Sequence, residues 1–377
     1  MNKYSVSIVI PTKNRQQYCI EAIKQILELG FDDLQICIQD NSDDDCLRQF
    51  IDGIHNDHVV YNYHAGVLSF VDNFSEAILL ASGEYVCMIG DDDGILPSIM
   101  EEVYYARKHN LDAIIPGLNA IYYWPSSRPI VEKGENGCLV LIPMSKGHKR
   151  VDTKKSLEDL VRYGGLNYLN YDLAKVYHGL VRRKIFLDIK HRTGYIFDGL
   201  TPDLYMATAL SLTCKKVVKT DYPISVSGIC PTSGSTDSAT GKHTGALKDA
   251  PHFRGHDNYE WDMLIPAFYS VETIWSESML RALKNFHEDE LISKFNVKIF
   301  DSFCLNRYPQ FTDVISQHAT SMGVDLIAYP KAKGMNLKGM FFKTIRKIKR
   351  GFKKSRRLYD IKSISDAVSE IIIYNKL

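Results

Sequence analysis

Through the first hundred residues the apolar positions alternate between two periods. The run "SVSIVI" (5–10) is short, β-rich and closed by Pro11. Residues 16–29 then place Cys19, Ala22, Ile23, Ile26 and Leu27 on one helical face, with Gly30 where a C-cap belongs. "LQICIQD" (34–40) and "HVVYNYH" (58–64) predict two further strands. A helix over Phe70–Ala81, ended by "SGE", leads into a fourth strand, "YVCMIG" (85–90). Apolar strands separated by amphipathic helices predict an α/β fold, a mostly parallel sheet covered on both faces. Ligands of such sheets bind beyond the carboxyl ends of the strands. Three polar tips converge there: "PTKNR" after the first strand, "QDNSDDD" at the second and "GDDDG" at the fourth.

Further along, the pattern predicts a helix over 98–109 and a strand at "DAIIPG" (112–117). Residues 126–150 read as loop, rich in Gly, Pro and Lys, and "YHGLVRRKIF" (177–186) as a strand with surface charges. The segment 228–258 is crowded with Gly, Ser and Thr, a composition that predicts a mobile loop or lid. Helical periodicity returns over 262–322. The division expected is therefore a nucleotide and acceptor domain at 1–225, a lid at 226–260, a helical region at 261–330 and a basic tail at 331–377.

Composition narrows the classes. Lys plus Arg number 46 against 45 for Asp plus Glu, so overall charge gives no argument for nucleic acid. The eight cysteines form no CxxC pair, which removes zinc knuckles and thioredoxin-type motifs, and they read as reduced thiols of a cytoplasmic protein. The opening "MNKYSVSIVIPTKNR" has an apolar run too short for a signal-peptide core. No run approaches the roughly 20 apolar residues of a membrane span.

The chemistry centres on "MIGDDDGILP" (88–97). Three adjacent carboxylates, Asp91, Asp92 and Asp93, leave an apolar strand at the ligand-binding edge, and their repulsion calls for a cation. Mg²⁺ or Mn²⁺ takes oxygen ligands and shares its shell with substrate phosphates, and a diphosphate so neutralised is a better leaving group. A divalent ion carrying a nucleotide diphosphate is the expectation.

"VSIVIPTKNR", "ICIQDNSDD" and "ASGEYVCMIGDDDGILP", in that order, resemble the N-terminal signatures of the family 2 glycosyltransferases, which have the GT-A fold. The resemblance is good over 4–110 and looser to about 225. It implies that Pro11, Thr12, Asn14 and Arg15 contact the nucleotide, that Asp40 reads the base, typically uracil, and that Asp91 to Asp93 stand at the ribose and metal. Counting back from Pro97 puts Asp92 at the usual metal position, while Asp91 and Asp93 form an Asp-x-Asp pair of their own; both assignments stay open. The family also implies an acidic base at a helix start, which Asp203 in "GLTPDLYMATAL" (199–210) fits, with Asp198 its competitor and a capping role the plain alternative. The implied reaction is inverting transfer of a sugar from a UDP-linked donor to a hydroxyl of a surface glycan or lipid-linked acceptor of the capsule or lipopolysaccharide type.

Among the loop histidines (His243, His252, His256), His252 is the candidate metal ligand after lid closure, and Arg254 a phosphate partner. In the tail, Phe341, Ile345, Ile348 and Phe352 recur at helical spacing among nine basic residues from Lys343 to Arg357. That pattern suits peripheral contact with an anionic membrane, placing the protein on the inner face of the cell membrane. Two rival readings are a sugar-nucleotide pyrophosphorylase, whose glycine-rich first loop "PTKNR" lacks, and a non-catalytic membrane scaffold on a degenerate GT-A domain.

Overall fold

The computed structural model describes residues 3–127, 136–233, 244–256, 258–327 and 355–376. In the first hundred residues the predicted alternation is what the chain builds. β1 (Val6–Thr12), β2 (Leu34–Asp40), β3 (Val59–Tyr63) and β4 (Tyr85–Met88) are joined by α1 (Gln16–Glu28), α2 (Cys46–Ile54) and α3 (Phe70–Leu79). All four strands pair in parallel, in the order β3-β2-β1-β4. β1 and β2 are buried from end to end because helices cover both faces. Val6, Ile8 and Ile10 face α1 and α4 (Ser98–His109), packing with Cys19, Ile23, Ile99 and Val103. Val9, Val86 and Met88 point the other way, against Phe74, Phe186 and Met206, the two-residue alternation of a strand.

β5 (Gly94–Ile95) follows the aspartates directly, and then come β6 (Ala113–Ile115), β7 (Ala120–Tyr123), β8 (Cys138–Leu141) and β9 (His148–Val151). After α5 (Thr153–Arg162), β10 (Leu180–Arg182) inserts antiparallel between β4 and β6. α6 (Arg183–Thr193) and α7 (Pro202–Thr213) precede β11 (Val217–Thr220), which completes the eight-stranded sheet with β6 and β9. α7 is apolar nearly all round because it lies between that sheet and a helical layer. The layer contains α5, α8 (Val271–Asn285), α9 (Val297–Arg307) and α10 (Thr312–Ser321), with Leu157, Leu204, Met279 and Phe300 in its core.

Three expectations change here. Residues 138–141 and 148–151, read as loop, are β8 and β9. The segment read as a lid from 226 starts as β12 (Ser225–Ile229), a strand whose small residues let it run against the aspartate loop. Its residues 234–243 lie outside the described residues; beyond them β13 (Thr244–Gly245) pairs with β14 (Tyr269–Ser270). The tail read as one basic helix contains β15 (Arg356–Tyr359) and α11 (Ile364–Lys376). β15 is an edge strand on β8 with Arg356 and Arg357 exposed, so its charges sit where an edge tolerates them. The basic stretch 341–354 lies outside the described residues. β15-β8-β7-β12-β5 form a second sheet, whose core joins Tyr122, Leu139 and Val226 to Ile364, Val368 and Ile371 of α11. All eight cysteines are free thiols, and no described helix is long and apolar enough to cross a membrane.

Candidate active site

The site begins where β1 and β2 end side by side, with Thr12 registered to Asp40. Asn14 adopts a left-handed backbone (φ 56°) and is pinned there. Its N–H donates to Ser42 Oγ at 2.8 Å, its Nδ2 donates to Asp43 at 2.8 Å, and its Oδ1 accepts from the Asp43 N–H at 2.9 Å. Asparagine is among the few side chains that visit this conformation readily. The turn sends Arg15 back over the sheet onto the aspartates. Asp40 is wholly buried and accepts from the Ser42 N–H at 2.8 Å and the Tyr61 hydroxyl at 3.0 Å.

Asp91, Asp92 and Asp93 are all buried, and each has its own compensation. Asp91 accepts from Thr12 Oγ1 at 2.7 Å and from Arg15 Nε at 3.1 Å, and it forms a second contact with the same guanidinium. Asp92 Oδ2 accepts from the Cys230 N–H at 3.0 Å, while its Oδ1 stands 3.7 Å from Arg15. Asp93 accepts from the Gly90 N–H at 2.6 Å and the Gly228 N–H at 2.7 Å, and lies 3.4 Å from His178 Nε2. Burial pushes Asp91 up to about 7 against the pull of Arg15, and burial with neighbouring Asp92 holds Asp93 well above the usual carboxylate range. Burial likewise drives His178 down to about 4, so its ring is neutral, and its Nδ1 meets Ser225 Oγ at 2.8 Å. The repulsion left open by the sequence is therefore met largely by Arg15 and backbone N–H groups.

β12 and the residue that follows it supply two of those N–H groups, from Gly228 and Cys230, because Gly228 lets the strand approach. A Cβ there would stand 1.7 Å from the Asp92 carbonyl oxygen. The same carbonyl accepts from Trp124 Nε1 at 2.8 Å, so the second sheet braces the aspartate loop from behind.

A cavity of about 640 Å³ opens in front of this loop, and Arg15, Asp92, Asp93, Asp203 and His252 all line it. Asp203 lies in the first turn of α7, whose N-cap is Thr201 with no side-chain cap, so it does not serve as the cap. Burial lifts Asp203 to about 6, with Lys175 pulling the other way. Asp198, its competitor, is turned aside: it accepts from the Gly199 N–H at 2.7 Å and from Asn285 at 2.8 Å and does not line the cavity. Pro11, Thr12, Asn14, Asp40 and Asp91 also stand outside the cavity wall, behind or beside the Arg15 end. His252 lies between Phe70 and Tyr269, ring centroids 5.1 and 5.7 Å away. His256 lines a separate depression with Tyr259, and His243 lies outside the described residues.

No three His, Cys, Asp or Glu side chains converge as a metal cage among the described residues. Asp91 and Asp93 spend their oxygens on Arg15, Thr12 and backbone donors, which leaves Asp92 Oδ1 as the carboxylate oxygen best placed toward the cavity. A single carboxylate fits a hard ion that takes its other ligands from substrate phosphates and water. Sequence reasoning missed Lys175, to which no role was given, Tyr177 and His178, placed in a segment read as a strand with surface charges, and Gly228 and Cys230, hidden in the Gly/Ser-rich run.

The parallel half-sheet, the inserted β10 and the carboxylates at the strand ends define a GT-A-type fold. Residues 7–162 match the model of glycosyl transferase family 2. Over 147 residues the chain is 30% identical to WcaA of Escherichia coli K12, assigned to colanic acid biosynthesis as a glycosyl transferase; the match covers 35% of this chain and 50% of WcaA. It is 30% identical over 114 residues to the GalNAc(5)-diNAcBac-PP-undecaprenol beta-1,3-glucosyltransferase of Campylobacter jejuni, covering 28% and 36%. The chain thus spans half or less of these relatives' lengths. The crystal structure of S. aureus TarS 1-349 in complex with UDP-GlcNAc shares the fold, with TM-score 0.51, 13% identity, and coverage of 84% of this chain and 81% of that one.

Proposed function

We propose that this protein is an inverting glycosyltransferase that moves a sugar from a UDP-linked donor to a hydroxyl of a surface glycan or lipid-linked acceptor. The observation that carries the reading is one cavity lined by Arg15 and Asp92 and also by Asp203, a carboxylate from a different element that burial lifts to about 6. Nucleotide binds at the ends of β1 and β2, beside Pro11, Thr12, Asn14 and Asp40, and its diphosphate reaches the cavity beside Arg15. Arg15 stabilises the charge that grows on the departing diphosphate. Asp92 would hold a divalent ion, which would supply Lewis-acid neutralisation of that leaving group.

Asp203 takes the proton from the acceptor hydroxyl as the oxygen attacks the anomeric carbon. That bond forms on the face opposite the breaking bond to phosphate, which inverts the centre. A group lifted to about 6 is ionised at neutral pH and still basic enough to accept a proton in the transition state. The UDP-GlcNAc held by the TarS fold and the undecaprenol-linked acceptor in the name of the Campylobacter relative support the donor and acceptor classes. The charge of the basic stretch 341–357 supports a location on the inner face of an anionic membrane, within reach of such an acceptor.

Thermal-shift titration with UDP-, GDP-, CDP- and dTDP-sugars, with and without Mn²⁺, tests this. At about 100 times its dissociation constant a ligand adds roughly 2.7 kcal/mol of stability. UDP-sugars are expected to stabilise most, more so with Mn²⁺; no response to any nucleotide contradicts the proposal.

A further inference from the structure

The cavity continues past Asp203 into a section that departure of the diphosphate does not use. Tyr168, Tyr177 and Asp203 line that section together, and Lys175 Nζ stands 5.5 Å from the centre of the Tyr168 ring. Trp275 completes that section: its ring meets Tyr168 edge to face, with centroids 4.7 Å apart and planes at 88°, and both residues line the cavity. Trp275 is only half-buried, and Leu169, 52% exposed, carries the apolar wall out toward solvent.

The pair is held in place from two directions. Val271, Ile274 and Trp275 recur at three- and four-residue spacing, so one face of α8 presents all three to the cavity. The turn before Tyr168 is clamped to the same helix. Gly165 has φ 75°, and a Cβ on it would stand 2.5 Å from Ser276 Oγ. Ser276 Oγ donates to the Gly164 carbonyl at 2.8 Å. Ser276 follows Trp275 directly, so this contact fixes the Tyr168 turn against the indole.

We propose that Trp275 and Tyr168 form the acceptor subsite, a platform for the C–H face of a hexopyranoside whose hydroxyl is thereby presented to Asp203. A pyranose has hydroxyls around its edge but largely C–H groups on a face, and a flat aromatic surface buries that face while leaving the edge to polar neighbours. Lys175 and Thr201 line the same cavity and are the polar groups for that edge. The inference rests on the reading of this cavity as the transfer site.

Saturation-transfer NMR of the full chain tests it, with the methyl β-pyranosides of glucose, galactose, N-acetylglucosamine and N-acetylgalactosamine as probes and UDP titrated in parallel. Trp275→Leu keeps apolar bulk in α8 but removes the flat ring, and Tyr168→Phe keeps the ring; melting curves confirm that both fold. At least one probe is expected to bind the wild type with its ring protons saturated. Trp275→Leu is expected to weaken it tenfold or more and Tyr168→Phe less than threefold, with UDP affinity within twofold throughout. Absence of binding by every probe, or unchanged probe affinity in Trp275→Leu, overturns the proposal, as does joint loss of UDP and probe binding in that variant. Failure of UDP to bind the wild type, with probe binding still sensitive to Trp275→Leu, overturns the donor reading and supports the subsite.

Discussion

Replacing Asp203 with Asn separates the work of the carboxylate from its cost to the fold. Asn is nearly the same size, so the start of α7 keeps its shape while the base is lost. Asp203 is lifted from the ordinary 3.8 to about 6 by burial. A folded value above the unfolded one means that the ionised group opposes folding, beginning near pH 4 and in full above pH 6. A shift of that size corresponds to about 3 kcal/mol at neutral pH. Cavity water screens part of it, leaving ~1–2 kcal/mol as the expected gain for Asp203→Asn. Scanning calorimetry at pH 7.5 is expected to show the variant melting ~1–3 °C higher, with the difference closing as pH falls from 6 to 4. Transfer falls by about 10²–10⁴ in the same protein, the usual share of general base catalysis. In the wild type, kcat/KM is expected to drop on the acid side with a midpoint near 6, since roughly a tenth of Asp203 is ionised one unit below that value. A variant that transfers sugar within tenfold of wild type, or that is less stable at pH 7.5, refutes the reasoning.

Arg15→Met leaves Asp91 and Asp92 buried without their cation, and urea unfolding is expected to show a loss of about 3–5 kcal/mol, partly restored by adding Asp91→Asn. Gly228→Ala forces β12 away from the Asp92 carbonyl and withdraws the N–H from Asp93; a loss of about 1–3 kcal/mol and weaker metal-dependent nucleotide binding are expected by calorimetry, though no ionisable group has changed. Changing Lys343, Arg346, Lys347, Lys349 and Arg350 to Gln is expected to release the protein from phosphatidylglycerol vesicles in sedimentation assays. At ~1 kcal/mol per basic residue the loss exceeds a hundredfold, while turnover of soluble substrates stays unchanged.

Three of the first four strands, β1, β2 and β4, were legible because each is buried along its whole length, whereas β3, the half-buried edge strand, was marked by its Val and Tyr residues; the polar ends of the strands follow from topology. Arg15, Asp92, Asp93, Asp203 and His252, picked from segments far apart in the chain, do share one cavity. Other features are set by contacts that no local pattern records. β12 is a strand because Val226 finds the core of the second sheet and Gly228 admits the Asp92 carbonyl, yet its Ser and Gly read as a loop. β15 and α11 pack against segments more than 200 residues earlier, whereas the charge of the tail pointed to solvent. The aspartates illustrate the same limit. Their repulsion was visible, but not that Asn14 would turn Arg15 onto them.

The most direct test of the central claim is release of UDP from UDP-linked sugars, followed in the presence of Mn²⁺ for wild type and for Asp92→Asn. The account predicts saturable release by the wild type that requires metal, and loss of the metal response in Asp92→Asn with the protein still folded. Metal response surviving in that variant, or no release from any UDP-sugar by the wild type, would contradict it.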